Sequence, residues 1–436
     1  MDLSAPPAGA RPFDAVLVRE LLAHLAEADA NARAAVNLVP SETRLSPLAS
    51  IPLRTDFYNR YFFNDALDPS FWQFRGAQSV FSFETEVAMP ALRALADAEH
   101  VNLRPISGMS AMLVAMSGLG GPPGGTVVSI RQQTGGHYAT ESVARRLGFT
   151  STTVAVRQGR LDPEELRACL RSRPNLIYLD LQNSRHVLDI AAVTAEVARL
   201  SPETLVHADC SHTLGLVLGR ALPNPLDLGA DTMGGSTHKT FPGPHKGVLF
   251  TRRAELAQRL RAAQFTLLSS HHFAETMALG LAAVEFGHFG PGYARRTIAN
   301  ARALEPALAA RGFDTLNADG HSTETHQVWV RAGDAERTDA LAETLYQAGI
   351  RVNVQVDLPE APGPVLRLGL GEVTFEGAGE ATMHCLASAF AHARDGDLAG
   401  LMRVAADLRG SMGEPCYFTG LDAGDVAGLV SLGAQR

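Results

Sequence analysis

Lysine is nearly absent from this chain. Its 436 residues include 38 lysines and arginines, but only two of these are lysines, Lys239 and Lys246. A guanidinium stays protonated in proteins, whereas a lysine amine can lose its proton and form an imine. The two lysines therefore either occupy positions where arginine cannot substitute or are chance survivors of a bias toward arginine. The residues around them must decide between these alternatives.

Other features that the sequence lacks exclude whole classes of function. A formal charge of −8 argues against a general nucleic-acid binder, which would carry a basic face. No apolar run approaches the roughly 20 residues that span a bilayer, and we expect no membrane partner. The first residues hold no basic patch followed by an apolar stretch, so we expect no secretion signal. Four cysteines without a CxxC pair fit free thiols in a reducing cytoplasm, which is the predicted location.

The chain alternates short β-rich runs with helical patterns between about residues 100 and 250. This rhythm predicts βα units on a largely parallel sheet. Two helices, at about 272–290 and 292–311, precede a second α/β unit. In open α/β sheets, ligands bind at the carboxyl ends of the strands. We expect three parts: an N-terminal helix and arm (1–50), a large domain (51–300) and a small C-terminal α/β domain (301–436).

The strongest chemical signal lies in HADCSH (207–212) and GGSTHKTFPGPHKG (234–247). Asp209 ends an apolar strand, and Lys239 follows thirty positions later in a polar turn. A pyridoxal 5′-phosphate (PLP) site needs a carboxylate that keeps the pyridine nitrogen protonated and a lysine that forms an imine. It also needs small donors for the phosphate, often at a helix N-terminus. Candidates for these contacts are Ser236, Thr237 and His238 in the turn, and Ser107, Gly108 and Met109 in ISGMSA.

Each of these signals also has an ordinary explanation. An aspartate after a strand is often a helix cap, and a single lysine in a turn is usually solvated. The HADCSH segment could instead bind a metal, because His207 and Asp209 share a strand face and His212 is close. A metal-dependent hydrolase and a catalytically inactive binding module therefore remain as alternatives of another class.

Taken together, the motifs resemble the serine hydroxymethyltransferase group of fold-type I PLP enzymes. The resemblance runs from NLVPSETRLSP through HADCSH and THKTFPGP to VLRLGLG, and THKT followed by GP is quite specific to that group. The sequence is most similar to the L-threonine transaldolases of natural-product biosynthesis, in GGHYATES and GADTMGGSTHKTFPGPHKG. The resemblance implies an α/β fold with a mostly parallel sheet between helices and a smaller C-terminal α/β domain. It also implies a homodimer with shared active sites.

The resemblance assigns cofactor roles to particular residues. Lys239 would form the internal aldimine, and Asp209 would pair with the pyridinium nitrogen. His212 would lie beside the cofactor, and His137 would stack on its ring. The serine expected near the cofactor 3′-oxygen is replaced here by Gln182 or Asn183.

Substrate roles follow from the same resemblance. Arg367 would hold the substrate carboxylate with a bidentate clamp, which arginine forms better than lysine. Ser41 matches a serine that contacts the substrate. Tyr58 or Tyr61 would supply the active-site tyrosine, with a slight preference for Tyr58.

Two departures from the family pattern concern folate and phosphate. Folate-using members carry a glutamate just after the tyrosine, whereas Phe62 and Phe63 follow Tyr61 here. Their glycine-rich phosphate loop is replaced by LLSSHH, whose Ser269 or Ser270 would reach the phosphate in the partner subunit.

The implied reaction is therefore one that needs no folate. L-threonine would undergo retro-aldol cleavage to acetaldehyde and a glycyl quinonoid, which would add to an acceptor aldehyde and give a β-hydroxy-α-amino acid. Serine hydroxymethyltransferase or threonine aldolase activity is the nearest alternative. Aminotransferase or decarboxylase chemistry on the same scaffold is a further one.

Overall fold

The computed structural model of the protein describes residues 14–61, 67, 82–268, 270–317, 320, 322–413, 415, 424–425 and 428. We number the strands of its two larger sheets β1 to β10 in chain order. The central sheet has seven strands: β1 (His100–Asn102), β2 (Thr126–Ile130), β3 (Thr150–Val154), β4 (Leu176–Leu179), β5 (Leu205–Asp209), β6 (Thr232–Ser236) and β7 (Gly247–Thr251).

The order across this sheet is β1-β7-β6-β5-β4-β2-β3. The five strands β6, β5, β4, β2 and β3 are parallel to one another. Strand β7 is antiparallel to both of its neighbours, β6 and β1. The predicted mostly parallel sheet is therefore confirmed. Because parallel strands end at one edge of the sheet, β5 and β6 deliver the segments after Asp209 and Ser236 to the same place.

Helices cover both faces of the central sheet. Val127 and Leu176 belong to one apolar cluster and their neighbours Val128 and Ile177 to another, so successive strand residues pack on opposite sides. The α-helices described are Ala15–Ala34, Pro47–Ser50, Met89–Ala96, Gly108–Leu119, Thr140–Arg146, Pro163–Arg171, Ile190–Leu200, Leu214–Leu218, Ala254–Leu267, Phe273–Ala309, Ala335–Gln347, Gly371–Phe375, Glu380–Arg394 and Leu398–Gly410. Within the described part of the chain, none of these helices is both long and apolar enough to cross a membrane.

Short helical turns and two-residue strands complete the described elements. The 3₁₀ turns are Ile51–Arg54, Asp56–Asn59 and Gln132–Thr134, and Glu84–Ala88 is a π-helical turn. The two-residue strand pairs are Val36–Asn37 with Ile350–Arg351, and Val156–Arg157 with Arg160–Leu161.

A second sheet lies in the C-terminal part of the chain. Its strands β8 (Gln327–Val330), β9 (Asn353–Leu358) and β10 (Ala361–Gly369) are antiparallel in the order β8-β10-β9. Leu366 and Leu368 pack into a core of their own with helix residues such as Leu304 and Phe390. The hairpin of β9 and β10 orients Arg367, whose side chain is buried.

One long helix, Phe273–Ala309, belongs to both cores. Phe286 packs with the central sheet, and Leu304 packs with the second sheet. The prediction of two helices divided near residue 291 was wrong, because the helix continues through Pro291. A proline removes one backbone hydrogen bond, but here aromatic side chains on both sides of it, Phe286 and Tyr293, are buried and in contact. The proposed domain boundary at residue 300 falls inside this helix and stays a prediction.

Candidate active site

The lysine turn after β6 is held by its own threonine and histidine side chains. The Thr237 hydroxyl donates to the carbonyl oxygen of Pro244 at 2.6 Å and accepts from the Lys246 amide at 3.0 Å. The ring of His238 stacks on that of His245 with centroids 3.6 Å apart. These contacts fix the backbone from which the Lys239 side chain extends.

The Lys239 amine is buried close to both a negative and a positive side chain. Its Nζ is 3.3 Å from Nε2 of His212. Burial lowers the pKa of Lys239 to about 8; the negative charge of Asp209 opposes this effect, and the positive charge of Arg367 adds to it. The side chains predicted to hold the cofactor and the substrate carboxylate therefore act on the same amine.

The carboxylate of Asp209 is fixed by three donors. Its Oδ1 accepts from the Ser211 amide at 2.8 Å and from the Ser211 hydroxyl at 2.5 Å. Its Oδ2 accepts from the hydroxyl of Tyr178 at 2.6 Å. The Ser211 hydroxyl also accepts from the Ser236 amide at 2.9 Å, which ties Asp209 to the end of β6.

His137 lies near Asp209 and Lys239, and its backbone is held by a buried aspartate, Asp180. The backbone amide of His137 donates to Oδ2 of Asp180 at 3.2 Å, and the Thr140 hydroxyl donates to the same oxygen. Burial lowers the pKa of His137; Asp209 opposes this shift, and Lys239 adds to it. The imidazole is therefore close enough to both side chains for their charges to act on it.

His212 and His326 form a pair of neutral imidazoles next to the lysine. Both are buried, and their ring centroids are 6.1 Å apart. Burial lowers the pKa of His212 well below its usual value, and the positive charges of Lys239 and Arg367 lower it further. Burial likewise lowers the pKa of His326 to about 3. A neutral His212 can accept a proton at Nε2.

Arg367 is held by two asparagines. Asn353 lies directly opposite it in the hairpin of β9 and β10, and its Oδ1 accepts from Nε of Arg367 at 3.1 Å. The Asn183 side-chain oxygen accepts from a terminal nitrogen of the same guanidinium. Burial lowers the pKa of Arg367 to about 10, so the group remains charged at neutral pH. Asn183 is thus joined to the substrate clamp.

Ser41 lies in a segment that bridges the lysine turn and the arginine strand. The Thr43 amide donates to the carbonyl oxygen of His238 at 2.9 Å. On the other side, the Gly369 amide donates to the carbonyl oxygen of Leu38 at 2.7 Å. The half-buried Ser41 is therefore placed between the two predicted binding elements.

The predicted phosphate cradle lies at a helix N-terminus. Ser107 caps the helix Gly108–Leu119 by accepting from the Ser110 amide, and the half-buried Met109 begins its first turn. A Cβ atom at Gly108 would come within 2.0 Å of the Ser236 hydroxyl, so only glycine allows this approach. The amides at the start of the helix, together with the hydroxyls of Ser107 and Ser236, form a small polar cradle suited to an anion.

Other predicted residues are largely exposed or half-buried in the single chain. Tyr58 and Tyr61 are 56% and 49% exposed, and Ser270 is exposed. Gln182 contributes backbone bonds to Gly135 and Gln327, and its side chain is half-buried. Three residues named in the sequence predictions lie outside the described residues: Ser269, Phe62 and Phe63.

The metal-binding alternative receives no support from the geometry. The His207 ring bonds to the Thr232 hydroxyl at 2.7 Å and stacks on Tyr178, while His212 faces Lys239. In the ranges that the structure describes, no group of three or more histidine, cysteine, aspartate or glutamate side chains could hold a metal ion.

The site fits PLP through a buried lysine amine, a carboxylate held by donors and an anion cradle at a helix N-terminus. A family model described as serine hydroxymethyltransferase matches residues 20–390. The chain belongs to the serine hydroxymethyltransferase family. The fold-type I prediction is thereby confirmed, and this family member is a PLP-dependent transferase.

Relatives within this family include named transaldolases and named serine hydroxymethyltransferases. The chain is 61% identical over 406 residues to an L-threonine:uridine-5′-aldehyde transaldolase of an Amycolatopsis species, which covers 92% of this chain and 98% of that protein. It is 33% identical over 387 residues to the serine hydroxymethyltransferase of Pyrobaculum arsenaticum, covering 86% and 89%. Among solved structures, the L-threonine transaldolase of Pseudomonas fluorescens in its internal aldimine state aligns with a TM-score of 0.85 at 25% identity, covering 97% and 98%.

Ser211, which donates twice to Asp209, and four residues on other elements were not anticipated from the sequence. The four on other elements are Tyr178 and Asp180 at the end of β4, His326 before β8 and Asn353 in β9. The β4 pair could have been found, because polar residues at the carboxyl end of a strand next to that of Asp209 face the same edge of the sheet. His326 and Asn353 depend on the folding of a distant part of the chain.

Proposed function

We propose that this chain is an L-threonine transaldolase that transfers the glycyl unit of L-threonine to uridine-5′-aldehyde. The main support is 61% identity to a relative of that name over 98% of its length. The reaction breaks the Cα–Cβ bond of threonine, releases acetaldehyde and forms a new Cα–Cβ bond to the acceptor carbon. The product is a β-hydroxy-α-amino acid, and no folate is consumed. A role in natural-product biosynthesis is part of this proposal.

The cofactor end of the site is assigned to four groups of this chain. When bound, PLP supplies the electron sink for the pair left on Cα when the bond breaks. Lys239 would hold it covalently through its amine, which is neutral above pH about 8. Asp209 would keep a proton on the ring nitrogen, and His137 would lie against the ring face. The amides that follow Ser107 would bind the phosphate.

The substrate end uses a charged clamp and a neutral histidine. Arg367 would bind the α-carboxylate through two parallel hydrogen bonds, with its guanidinium oriented by Asn353. Ser41 would contact the same substrate. His212, neutral and 3.3 Å from Lys239, would orient the lysine amine through a hydrogen bond. Holding the carboxylate while the amine is bound fixes the orientation of the Cα–Cβ bond.

We propose further that the protein is a homodimer with shared active sites. In this arrangement Ser269 or Ser270 would reach the partner's phosphate, and Tyr58 or Tyr61 would supply the active-site tyrosine. The exposure of both tyrosines and of Ser270 supports a role at a subunit interface. The free thiols of Cys169, Cys210 and Cys385 support a cytoplasmic location.

The test combines purified protein, PLP, L-threonine and uridine-5′-aldehyde. We expect acetaldehyde, measured with a coupled alcohol dehydrogenase, and one equivalent of a uridine-derived β-hydroxy-α-amino acid, identified by mass spectrometry. Borohydride reduction followed by peptide mapping should place the cofactor on Lys239 and leave Lys246 unmodified. The Lys239→Ala variant should lose both products.

Parallel reactions distinguish the competing activities. Acetaldehyde without the nucleoside product would indicate a threonine aldolase. Methylene-tetrahydrofolate formed from serine, with no turnover of threonine, would overturn the proposal in favour of hydroxymethyl transfer.

A further inference from the structure

Tyr178 is a fully buried tyrosine whose hydroxyl bonds to the carboxylate of Asp209, which the proposed function assigns to the cofactor ring nitrogen. Only 1% of its surface is exposed, and it lies in β4 beside β5, which ends at Asp209. Its hydroxyl is 2.6 Å from Oδ2 of Asp209. Burying a hydroxyl without an acceptor costs free energy, whereas phenylalanine would fill the same space at no such cost. The hydroxyl therefore matters through the bond to Asp209.

The hydroxyl remains a proton donor throughout the ordinary pH range. Burial raises the pKa of Tyr178 well above its usual value, and the negative charge of Asp209 raises it further. Stacking on the His207 ring, with centroids 4.8 Å apart, and the close packing of β4 against β5 hold the phenol in one orientation. The donor thus faces the carboxylate in a fixed geometry.

The three donors leave Asp209 with one free acceptor position. An ionised carboxylate has about four lone-pair positions, two on each oxygen. Ser211 uses two on Oδ1 through its amide and hydroxyl, and Tyr178 uses one on Oδ2. The remaining position is on Oδ2, the oxygen that Tyr178 holds. A ring N–H that bonded to Asp209 would therefore share this oxygen with the phenol.

We propose that Tyr178 is a positioning residue that presents Oδ2 of Asp209 to the cofactor ring nitrogen and keeps the shared proton on that nitrogen. Donation from the phenol stabilises the anionic carboxylate and makes it a weaker base. Without that donor, the carboxylate draws the proton toward itself and the electron sink is weakened. The inference rests on the proposed function, because it assigns Asp209 to the ring nitrogen.

The test compares Tyr178→Phe with the wild type, using PLP labelled with nitrogen-15 in the ring. In the wild type we expect the NMR signal of a protonated ring nitrogen. In Tyr178→Phe the signal should move toward the unprotonated position, and the PLP dissociation constant should rise about tenfold. Turnover of L-threonine should fall more than its KM changes, because the substrate clamp is untouched.

A matched control removes the hydroxyl of a different tyrosine, one that lies outside the site. Tyr346→Phe deletes a phenol oxygen from an exposed side chain of the helix Ala335–Gln347. Its nitrogen signal and PLP affinity should equal those of the wild type. If folded Tyr178→Phe also behaves like the wild type, the inference is wrong while the proposed function stands. If the wild type itself binds no PLP, the proposed function fails first.

A second variant covers the case in which Tyr178→Phe does not fold, as judged by circular dichroism. Replacing Tyr178 with 4-aminophenylalanine keeps a donor at the same position, but a weaker one. We expect a nitrogen signal displaced from that of the wild type in the same direction and by a smaller amount. An undisplaced signal would overturn the inference.

Discussion

The two lysines of this chain have similarly lowered pKa values but differ in their surroundings. Burial lowers the pKa of both Lys239 and Lys246 to about 8. Lys239 has His212 beside its amine, whereas Nζ of the buried Lys246 has no hydrogen-bond partner among the described residues. A low pKa alone therefore does not identify the nucleophile. The neighbouring histidine and carboxylate favour Lys239 as the nucleophile of the proposed function.

The lowered pKa of Lys239 makes a prediction about how the cofactor is attached. Only the neutral amine attacks an aldehyde, so the rate of PLP attachment to the apoprotein should rise with pH and level off above about 8. With an ordinary lysine the rise would continue to about pH 10.4. Stopped-flow absorbance at a series of pH values measures the rate, with N-acetyl-lysine as the reference amine. A rate that still climbs well beyond the expected plateau would contradict this account.

At the residue scale the sequence predicts groups that have motifs and misses those that do not. Lys239, Asp209 and Arg367 follow from recognisable motifs, and the structure brings them together. Tyr178 and Asp180 lie in a run of apolar residues, where a tyrosine is expected to be part of the core. Their importance depends on which strand is the neighbour of β5, and this is a tertiary contact.

At the scale of elements, the hairpin of β9 and β10 carries Arg367, the proposed substrate clamp. Asn353 and Arg367 are cross-strand neighbours, so the pairing register places the amide oxygen next to the guanidinium. A shift of the register by one residue would turn Arg367 to the other face of the sheet. The positioning of Arg367 is thus a property of the whole hairpin.

Removal of the Asn353 side chain should weaken substrate binding selectively. In Asn353→Ala the guanidinium loses its Nε anchor, and we expect the KM for L-threonine to rise about tenfold with a small change in kcat. Val356→Ala, at a 64% exposed position of the same strand, is the matched control and should leave KM unchanged. Steady-state kinetics of acetaldehyde release measures both constants. An unchanged KM in Asn353→Ala would show that Arg367 is oriented without Asn353.

Element prediction succeeds where local chemistry marks the ends and fails where packing decides. The helix Pro163–Arg171 begins with a capping aspartate and a proline, and both signals are visible in the sequence. Strand β9 was not predicted, because NVQVDL is half exposed and pairs only with β10. Pro291 would end an isolated helix, yet burial of the aromatic residues around it keeps the helix intact.

At the scale of the whole molecule, the first helix presents an unpaired apolar surface. Ala15–Ala34 has no buried residue. Its exposed aliphatic side chains are Val16, Val18, Leu21, Leu22 and Leu25, each 48% to 63% exposed. At 100° per residue Val18, Leu21, Leu22 and Leu25 lie on one side of the helix. An exposed apolar patch of this kind marks an interaction surface, and the proposed dimer supplies a partner for it.

Charges on this surface should therefore separate the proposed dimer. We expect Leu21→Asp with Leu25→Asp to shift the protein from dimer to monomer in light scattering coupled to size-exclusion chromatography. Activity should fall with the dimer, because the proposed sites are shared. Ala23→Asp with Ala30→Asp places the same charges on the opposite side of the helix and should leave the dimer intact. A double leucine variant that remains dimeric would exclude this helix from the interface.

The long helix Phe273–Ala309 has a consequence for how the protein responds to heat. It contributes buried side chains to both cores, and its Tyr293 hydroxyl donates to the carbonyl oxygen of Thr240, the residue after Lys239. Unfolding of the second sheet would expose the apolar side chains of this helix and loosen the backbone that carries the lysine. We expect no intermediate that keeps a working lysine after losing the arginine clamp, so thermal inactivation and thermal unfolding should coincide.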